Sequence, residues 1–193
     1  MKISAVLLAG GKSRRMGQDK SIILFRNAPL WRNQLDLLRK LQLQELFISA
    51  QTDPPWRPQD IKFVPDDQPS RGPLSGIAAA LSRITTDHLL ALAIDMPFMT
   101  EGYLRSLCEK IERGCGIVPL IENRFEPLAA IYPRAARDNL IGALAAKDFS
   151  LQSVVRNLIA AHKLLPIEAS GAERDLFLNL NEPADLEPPV TSQ

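Results

Sequence analysis

Apolar runs of strand length alternate with helical patterns along the first half of the chain, and this alternation constrains the fold more than any other feature. Residues 3–8 form a continuous apolar run with one serine, which is typical of a strand covered on both faces. Residues 88–94 form a second such run, and shorter ones occur at 46–50, 61–64 and 116–119. Strands that alternate with crossover helices build a largely parallel sheet. The sequence therefore predicts an α/β fold, a three-layer α/β/α sandwich around a Rossmann-like, mostly parallel sheet.

Helices are predicted in the intervals between these strands. One begins at Pro29, because proline favours the first helical turn and leucines then recur on one face as far as Leu41. Others are expected at 72–81 and at about 100–113. In the less regular second half we expect a strand at 126–132, helices at 133–146 and 151–160, and a strand at 163–167.

Length and composition limit the class of protein. With 193 residues the chain can form one sizeable core, so we predict one domain over 1–187 and a flexible tail over 188–193. No apolar run reaches the roughly 18 residues of a membrane span, and a net charge of +1 argues against general nucleic-acid binding. The two cysteines, Cys108 and Cys115, form no disulfide framework and are expected to be buried thiols. We therefore expect a cytoplasmic protein that binds neither nucleic acid nor a membrane.

A glycine-rich, cationic loop follows the first strand. Its notable residues are Gly10, Gly11, Lys12, Arg14, Arg15, Gly17, Asp19 and Lys20. Glycine lets backbone N–H groups approach a phosphate closely, and the cations neutralise its charge. The loop is not a Walker A motif, because that motif requires a glycine where Val6 stands. Since ligands of open α/β sheets bind beyond the carboxyl ends of the strands, we expect a phosphate site here; the alternative is a solvated loop whose glycines only form turns.

Acidic residues follow two of the other predicted strands. Asp95 comes directly after the run at 88–94, and Mg²⁺ characteristically binds one or two carboxylates together with substrate phosphate oxygens. Asp95 is therefore a candidate magnesium ligand. The alternative is that it caps the helix that begins near Thr100. Asp66 and Asp67 follow the run at 61–64 and are equally compatible with ordinary turns.

These segments together resemble a known family. The first loop is similar to the signature of nucleotidyltransferases with the glycosyltransferase A-like fold, and most closely to the molybdenum cofactor guanylyltransferases, the MobA family. The matching run is Leu8-Ala9-Gly10-Gly11-x-Ser13-x-Arg15-Met16-Gly17-x-Asp19-Lys20. Further matches, in family order, are Asp66, Gly72-Pro73-Leu74-Ser75-Gly76, Asp95-Met96-Pro97-Phe98 and Asn179-Leu180-Asn181-Glu182-Pro183-Ala184-Asp185-Leu186. The last element narrows the resemblance towards the molybdenum enzymes.

The resemblance implies a GTP site on the first loop. Leu8, Ala9 and Gly10 would contact the guanine nucleotide through their backbone, and Gly11 would complete the close approach. Ser49 stands where some members have asparagine, a departure that affects one base or ribose contact.

The resemblance also implies roles for four charged residues. Arg15 and Lys20 match the phosphate-binding cations, Asp66 matches a nucleotide contact, and Asp95 matches the residue that holds Mg²⁺. Arg15, Lys20 and Asp95 are thus the expected catalytic residues, with Mg²⁺ as the cofactor.

The implied reaction transfers GMP from GTP to the terminal phosphate of molybdopterin, releasing pyrophosphate and giving the guanine dinucleotide form of the molybdenum cofactor. Other cofactor-biosynthesis proteins and molybdoenzymes are the implied partners. His88 and His162 are expected to be structural, which suits a reaction that needs no general base. The alternatives are a cytidylyltransferase for the same cofactor, a sugar-phosphate nucleotidyltransferase, and a nucleotide-binding regulatory or adaptor protein without turnover. Gly10 beside Gly11 favours guanine, because the cytidylyl relatives tend to have Leu-Ala-Ala-Gly in this loop.

Two asparagines near the carboxyl terminus are candidates for the acceptor site. Asn179 and Asn181 are two positions apart, so in an extended segment both amides face one side and Leu178 and Leu180 turn to the core. Uncharged donors and acceptors suit a polar pterin or its phosphate. The alternative is that both amides satisfy turn backbone.

Overall fold

A computed structural model describes residues 1–10, 20–66 and 70–180 of the chain. The strands within these residues are β1 (Ile3–Leu8), β2 (Leu24–Phe25), β3 (Ala28–Pro29), β4 (Glu45–Ala50), β5 (Lys62–Pro65), β6 (His88–Ala93), β7 (Gly116–Ile121), β8 (Arg124–Phe125), β9 (Ala129–Pro133) and β10 (Leu164–Glu168). The α-helices are α1 (Leu30–Lys40), α2 (Pro73–Leu81), α3 (Glu101–Glu109), α4 (Arg137–Ala145) and α5 (Leu151–Ala160). Short 3₁₀ helices occur at Lys20–Ile22, Arg134–Ala136 and Gly171–Phe177.

The main sheet has the strand order β10-β7-β9-β6-β1-β4-β5, and β8 pairs with the end of β7. Parallel pairs join β1 to β4 and β6, β4 to β5, and β7 to β10. Only β8 and β9, among the described strands of this sheet, are antiparallel to their neighbours. The predicted α/β/α fold with a mostly parallel sheet is thus confirmed.

Two apolar cores cover the two faces of this sheet. Alternate residues of β1 divide between them: Ala5 and Leu7 pack with α1 and α3, whereas Val6 and Leu8 pack with α2, α4 and α5. Every residue of β1 and β6 is buried, as expected for central strands covered on both sides. The assignment of one domain to residues 1–187 stays a prediction, and the tail at 188–193 lies outside the described residues.

Several predicted element boundaries are wrong for identifiable reasons. The strand expected at 126–132 begins only at Ala129, because Pro127 has no N–H to donate to a neighbouring strand. The helix expected at about 100–113 ends at Glu109, and Gly114, with φ at +78°, then forms a tight turn before β7. The helix expected at 133–146 begins as a 3₁₀ turn, and its first N–H, that of Arg134, donates to the backbone carbonyl of Asp87.

None of the helices in the described parts of the chain is long and apolar enough to cross a membrane.

Candidate active site

Polar residues at the ends of two neighbouring strands, β4 and β5, meet at the carboxyl edge of the sheet. Asp66 follows β5 and is only 6% exposed, and its backbone N–H bonds to the Ala50 carbonyl at the end of β4. The Ser49 hydroxyl donates to Asp66 Oδ1 at 2.6 Å, and the Ser70 hydroxyl donates to Oδ2 at 3.1 Å. Because both carboxylate oxygens accept hydrogen bonds, the buried negative charge is stabilised in a fixed orientation. The sequence alone was equally compatible with Asp66 as an ordinary turn residue. A buried carboxylate that accepts hydrogen bonds from two side chains is not an ordinary turn residue.

Two glycines bring the backbone close to this carboxylate. A Cβ on Gly10 would lie 3.0 Å from Asp66 Oδ2, and a Cβ on Gly76 would lie 2.7 Å from Ser49 Oγ and 3.3 Å from Asp66 Oδ1. A Cβ at 2.7 Å would force the neighbouring atoms to move, and Cβ atoms at 3.0 and 3.3 Å would require smaller shifts of the Asp66 carboxylate. We call Gly10, Ser49, Asp66, Ser70 and Gly76 the carboxylate cluster. Gly10 itself is exposed.

A cation and an acid form a pair on the other side of β1. Lys20 begins the 3₁₀ helix Lys20–Ile22, and its Nζ lies 3.1 Å from Oδ2 of Asp95, two residues beyond β6. The side chains are 19% and 25% exposed, so both charged groups are accessible to a ligand. The structure brings together two predicted site residues that are 75 positions apart in sequence.

The loop that carries Asp95 is held by hydrogen bonds to its backbone. Ile94 donates its N–H to the Leu8 carbonyl at 3.1 Å, and Leu180 donates its N–H to the Asp95 carbonyl at 2.9 Å. The Gln34 amide, on the buried side of α1, donates to the Met96 carbonyl at 2.7 Å. Gln34 was not predicted from the sequence, although a glutamine on the leucine-rich face of α1 is a signal for a buried polar contact.

The segment that leads into α2 lies beside the carboxylate cluster. Gly72 has φ at +72°, a conformation that favours glycine, and Pro73 then opens the helix. The Arg71 N–H bonds to the Ser75 hydroxyl at 2.9 Å. Ser70 and Ser75 were not predicted as site residues, although Ser75 lies within the run quoted for the family resemblance.

The residues predicted to bind the nucleotide, where the structure describes them, lie along the carboxyl edge of the sheet. Leu8 ends β1, Ala9 and Gly10 follow it, and the Ala9 N–H donates to the Ser49 carbonyl at 2.8 Å. Predicted site residues Gly11, Arg15 and Asn181 lie outside the described residues. Asn179 is described and exposed, one position before Leu180.

The predicted orientation of the leucines beside Asn179 is wrong in one respect. Leu180 is fully buried, as expected, but Leu178 is 41% exposed. The predicted alternation of buried and exposed side chains required an extended segment from Phe177 onwards. Phe177 instead ends the 3₁₀ helix Gly171–Phe177, so the extended segment begins one residue later, at Leu178.

The histidines lie away from this edge. His88 begins β6 and His162 precedes β10, which places both at the amino edge of the sheet. His88 is fully buried, its Nε2 lies 3.1 Å from the Cys115 carbonyl, and burial lowers its pKa. Its structural role, as expected, requires no charge.

The cysteines are free but only partly buried, contrary to the expectation of buried thiols. Burial raises the pKa of Cys108 to about 11, so this thiol stays protonated near neutral pH. No cluster of three or more histidine, cysteine or acidic side chains that could hold a metal ion occurs at 1–10, 20–66 or 70–180.

The sequence matches the family model for MobA-like NTP transferase domains over residues 5–164. The chain belongs to this family. It is 31% identical over 186 residues to a probable molybdenum cofactor guanylyltransferase of Opitutus terrae, covering 95% of this chain and 92% of that protein. It is 32% identical over 190 residues to the molybdenum cofactor guanylyltransferase of Syntrophotalea carbinolica, covering 95% and 89%.

Solved structures share the fold of this MobA-like domain. Molybdopterin-guanine dinucleotide biosynthesis protein A of Archaeoglobus fulgidus superposes with a TM-score of 0.73 at 22% identity, over 95% of this chain and 94% of that one. At this identity the likeness supports the fold alone, and the family membership rests on the sequence matches.

Proposed function

We propose that this protein transfers GMP from GTP to the terminal phosphate of molybdopterin and releases pyrophosphate. The observation that carries the proposal is the Lys20–Asp95 pair, which stands across β1 from the carboxylate cluster at the ligand edge of a MobA-like fold. The names of the full-length relatives supply the substrates. The product is the guanine dinucleotide form of the cofactor, which other cofactor-biosynthesis proteins and molybdoenzymes would receive in the cytoplasm.

The carboxylate cluster is the proposed nucleoside site. The Gly10 backbone is exposed there, and because Gly10 and Gly76 carry no Cβ, Asp66 and Ser49 pack directly against their backbone. Asp66 can accept hydrogen bonds from the base or the ribose, and Ser49 orients it from β4. Leu8, Ala9 and Gly11 complete this site in the proposal.

The reaction needs alignment and charge neutralisation more than it needs a base. A phosphate monoester has its second pKa near 6, so molybdopterin presents mostly a dianion at neutral pH. One of its oxygens attacks the α-phosphorus of GTP, the bond from that phosphorus to the bridging oxygen breaks, and pyrophosphate leaves with the electron pair. The location of both histidines at the opposite edge of the sheet is consistent with a step that needs no general base.

Asp95 is the proposed Mg²⁺ ligand. A single accessible carboxylate, in a site without a protein cage of metal ligands among the described residues, suits an ion that takes one or two carboxylates and completes its shell with water and substrate phosphates. Mg²⁺ bound there would neutralise phosphate charge. Lys20, already 3.1 Å from the carboxylate, is placed to donate to phosphate oxygens as charge moves onto the leaving pyrophosphate. Arg15 is proposed to do the same.

The acceptor is proposed to lie on the side of Asp95 away from the carboxylate cluster. There Leu128 precedes β9, and its carbonyl accepts the Ala93 N–H at 2.9 Å. Asn179 and Asn181 are the proposed pterin contacts, because Leu180 between them bonds directly to the Asp95 backbone.

Substitution of the ion pair tests this arrangement. With GTP, Mg²⁺ and molybdopterin, Asp95→Asn and Lys20→Met are each expected to lower pyrophosphate release by roughly 100-fold or more, because each removes a charge aimed at the reacting phosphates. Asp87→Asn is the matched control, since Asp87 lies at the amino edge before β6. Turnover of Asp95→Asn at the wild-type rate under limiting Mg²⁺ would contradict the metal assignment.

A further inference from the structure

Arg71 lies at the rim of the carboxylate cluster but has no role in the reaction described above. Its neighbour Ser70 donates to Asp66 Oδ2, and its own N–H bonds to Ser75, which precedes Gly76. These two hydrogen bonds hold the Arg71 backbone beside the proposed nucleoside site.

The Arg71 side chain rests on an aromatic ring. Its guanidinium carbon lies 4.8 Å from the ring centroid of Phe149, which belongs to the connection between α4 and α5 and is 36% exposed. Contact with the ring face holds the cation by electrostatic attraction and limits its orientation. The N–H donors of a guanidinium point outward from the edge of its plane, so this contact leaves them available.

Arg71 also lacks the usual partner of a surface arginine. Among the residues that the structure describes, no carboxylate lies within ion-pair distance of its guanidinium. Arg57, by contrast, forms a two-pronged pair with Asp53 at 2.7 and 2.8 Å. A guanidinium that rests on a ring, has no ion-pair partner among the described residues and belongs to the residue after Ser70 of the carboxylate cluster is suited to a ligand with two adjacent acceptors.

Guanine offers such a pair of acceptors. Its O6 and N7 lie side by side and accept two parallel hydrogen bonds from one guanidinium, whereas adenine has an amino donor in place of O6. We propose that Arg71, held against Phe149, binds the O6/N7 edge of the GTP base and sets the preference for guanine. This inference rests on the proposed function, because it requires a guanine nucleotide in the carboxylate cluster.

The test compares nucleotides across matched variants. Wild-type kcat/KM is expected to be roughly tenfold or more higher for GTP than for 7-deaza-GTP, which lacks the N7 acceptor. In Arg71→Met that preference is expected to vanish, and the GTP-to-ATP ratio is expected to fall by roughly 5- to 150-fold. Arg71→Lys keeps the charge without the fork and should lose most of the same discrimination. Phe149→Leu should lose part of it.

Arg83→Met is the control, because Arg83 is an exposed arginine just beyond the other end of α2; it should keep the wild-type ratios. Thermal unfolding followed by circular dichroism checks that each variant is folded. Unchanged nucleotide ratios in folded Arg71→Met, or an equal loss with GTP, 7-deaza-GTP and ATP, would overturn the guanine assignment. Either result leaves the proposed function standing as long as the wild type uses GTP, and only a wild type that fails to transfer GMP to molybdopterin contradicts that function.

Discussion

Gly76 is the residue at which the smallest substitution should disturb the site most. In Gly76→Ala the new Cβ would lie 2.7 Å from Ser49 Oγ and 2.9 Å from Leu8 Cδ2, and neither neighbour is at the free end of a long exposed side chain. Overpacking of this kind costs about 1–3 kcal/mol. We expect urea unfolding to show a loss in that range, and calorimetry to show GTP affinity weakened several-fold as Ser49 and Asp66 move.

Gly102→Ala is the control for this substitution. A Cβ on Gly102, in the first turn of α3, meets nothing within 4 Å, so alanine there should leave stability equal or higher and GTP affinity unchanged. If Gly76→Ala behaves like Gly102→Ala in both measurements, the carboxylate cluster is not as tightly packed as the distances imply.

At the level of single residues, the sequence indicated which side chains are candidates for the chemistry better than it indicated which residues contact one another. Asp95 and Lys20 could be named as candidates because each has a suitable charge at the end of a strand or in a glycine-rich loop, and the structure shows that they form a pair. Gly76 could not be distinguished from other glycines, since the need for a missing side chain arises from Ser49 and Leu8, which are distant in sequence. Arg71 was missed for the same reason, because its partner Phe149 lies 78 positions later in the chain (149 − 71).

At the level of elements, Glu45 links the first residues of β4 to three neighbours at the amino edge. Its carboxylate accepts hydrogen bonds from Lys62 on β5, from Ser4 on β1 and from Thr85 before β6. Burial raises its pKa, but these hydrogen bonds outweigh burial and lower the pKa from 4.5 to about 2. Ionised Glu45 therefore stabilises the folded state.

The pH dependence of stability checks this role. The folded-state pKa lies below the unfolded value, so the stabilisation is fully present above pH 4.5 and is lost as the pH falls through about 2. Glu45→Gln should lower the free energy of unfolding by about 2 kcal/mol at pH 7, and the difference from wild type should shrink towards pH 2. Glu109→Gln, at an exposed position on α3, is the control. A difference between Glu45→Gln and wild type that does not vary with pH would contradict the assignment.

Element types were easier to predict than strand direction. Buried runs and amphipathic patterns located β1, β6, α1 and α5 closely, because burial imposes a regular spacing on the sequence. The antiparallel orientation of β9 could not be predicted, because an apolar run reads the same in both directions. That orientation matters for the proposed site, because it brings Leu128, the residue before β9, to the edge of the sheet where β6 ends and Asp95 follows.

At the scale of the whole molecule, the strand order explains why the two halves of the proposed site meet. β1 lies between β4 and β6, so the carboxylate cluster falls on one side of it and the Lys20–Asp95 pair on the other. A GTP molecule with its base over the cluster and its phosphates over the ion pair would span β1. This proposed orientation of GTP agrees with the topology of a mostly parallel sheet, whose ligands bind beyond the carboxyl ends of its strands.

The most direct test of the central claim is pyrophosphate release by the wild-type protein with each of the four nucleoside triphosphates, with Mg²⁺, in the presence and absence of molybdopterin. A site that hydrogen-bonds one base rejects the others strongly, because mismatched polar groups are left buried. We expect release to require molybdopterin, and kcat/KM for GTP to exceed that for CTP and ATP by roughly 100-fold or more. Comparable values for GTP and CTP, or release that does not depend on molybdopterin, would contradict the assignment of this protein as a guanylyltransferase for the molybdenum cofactor.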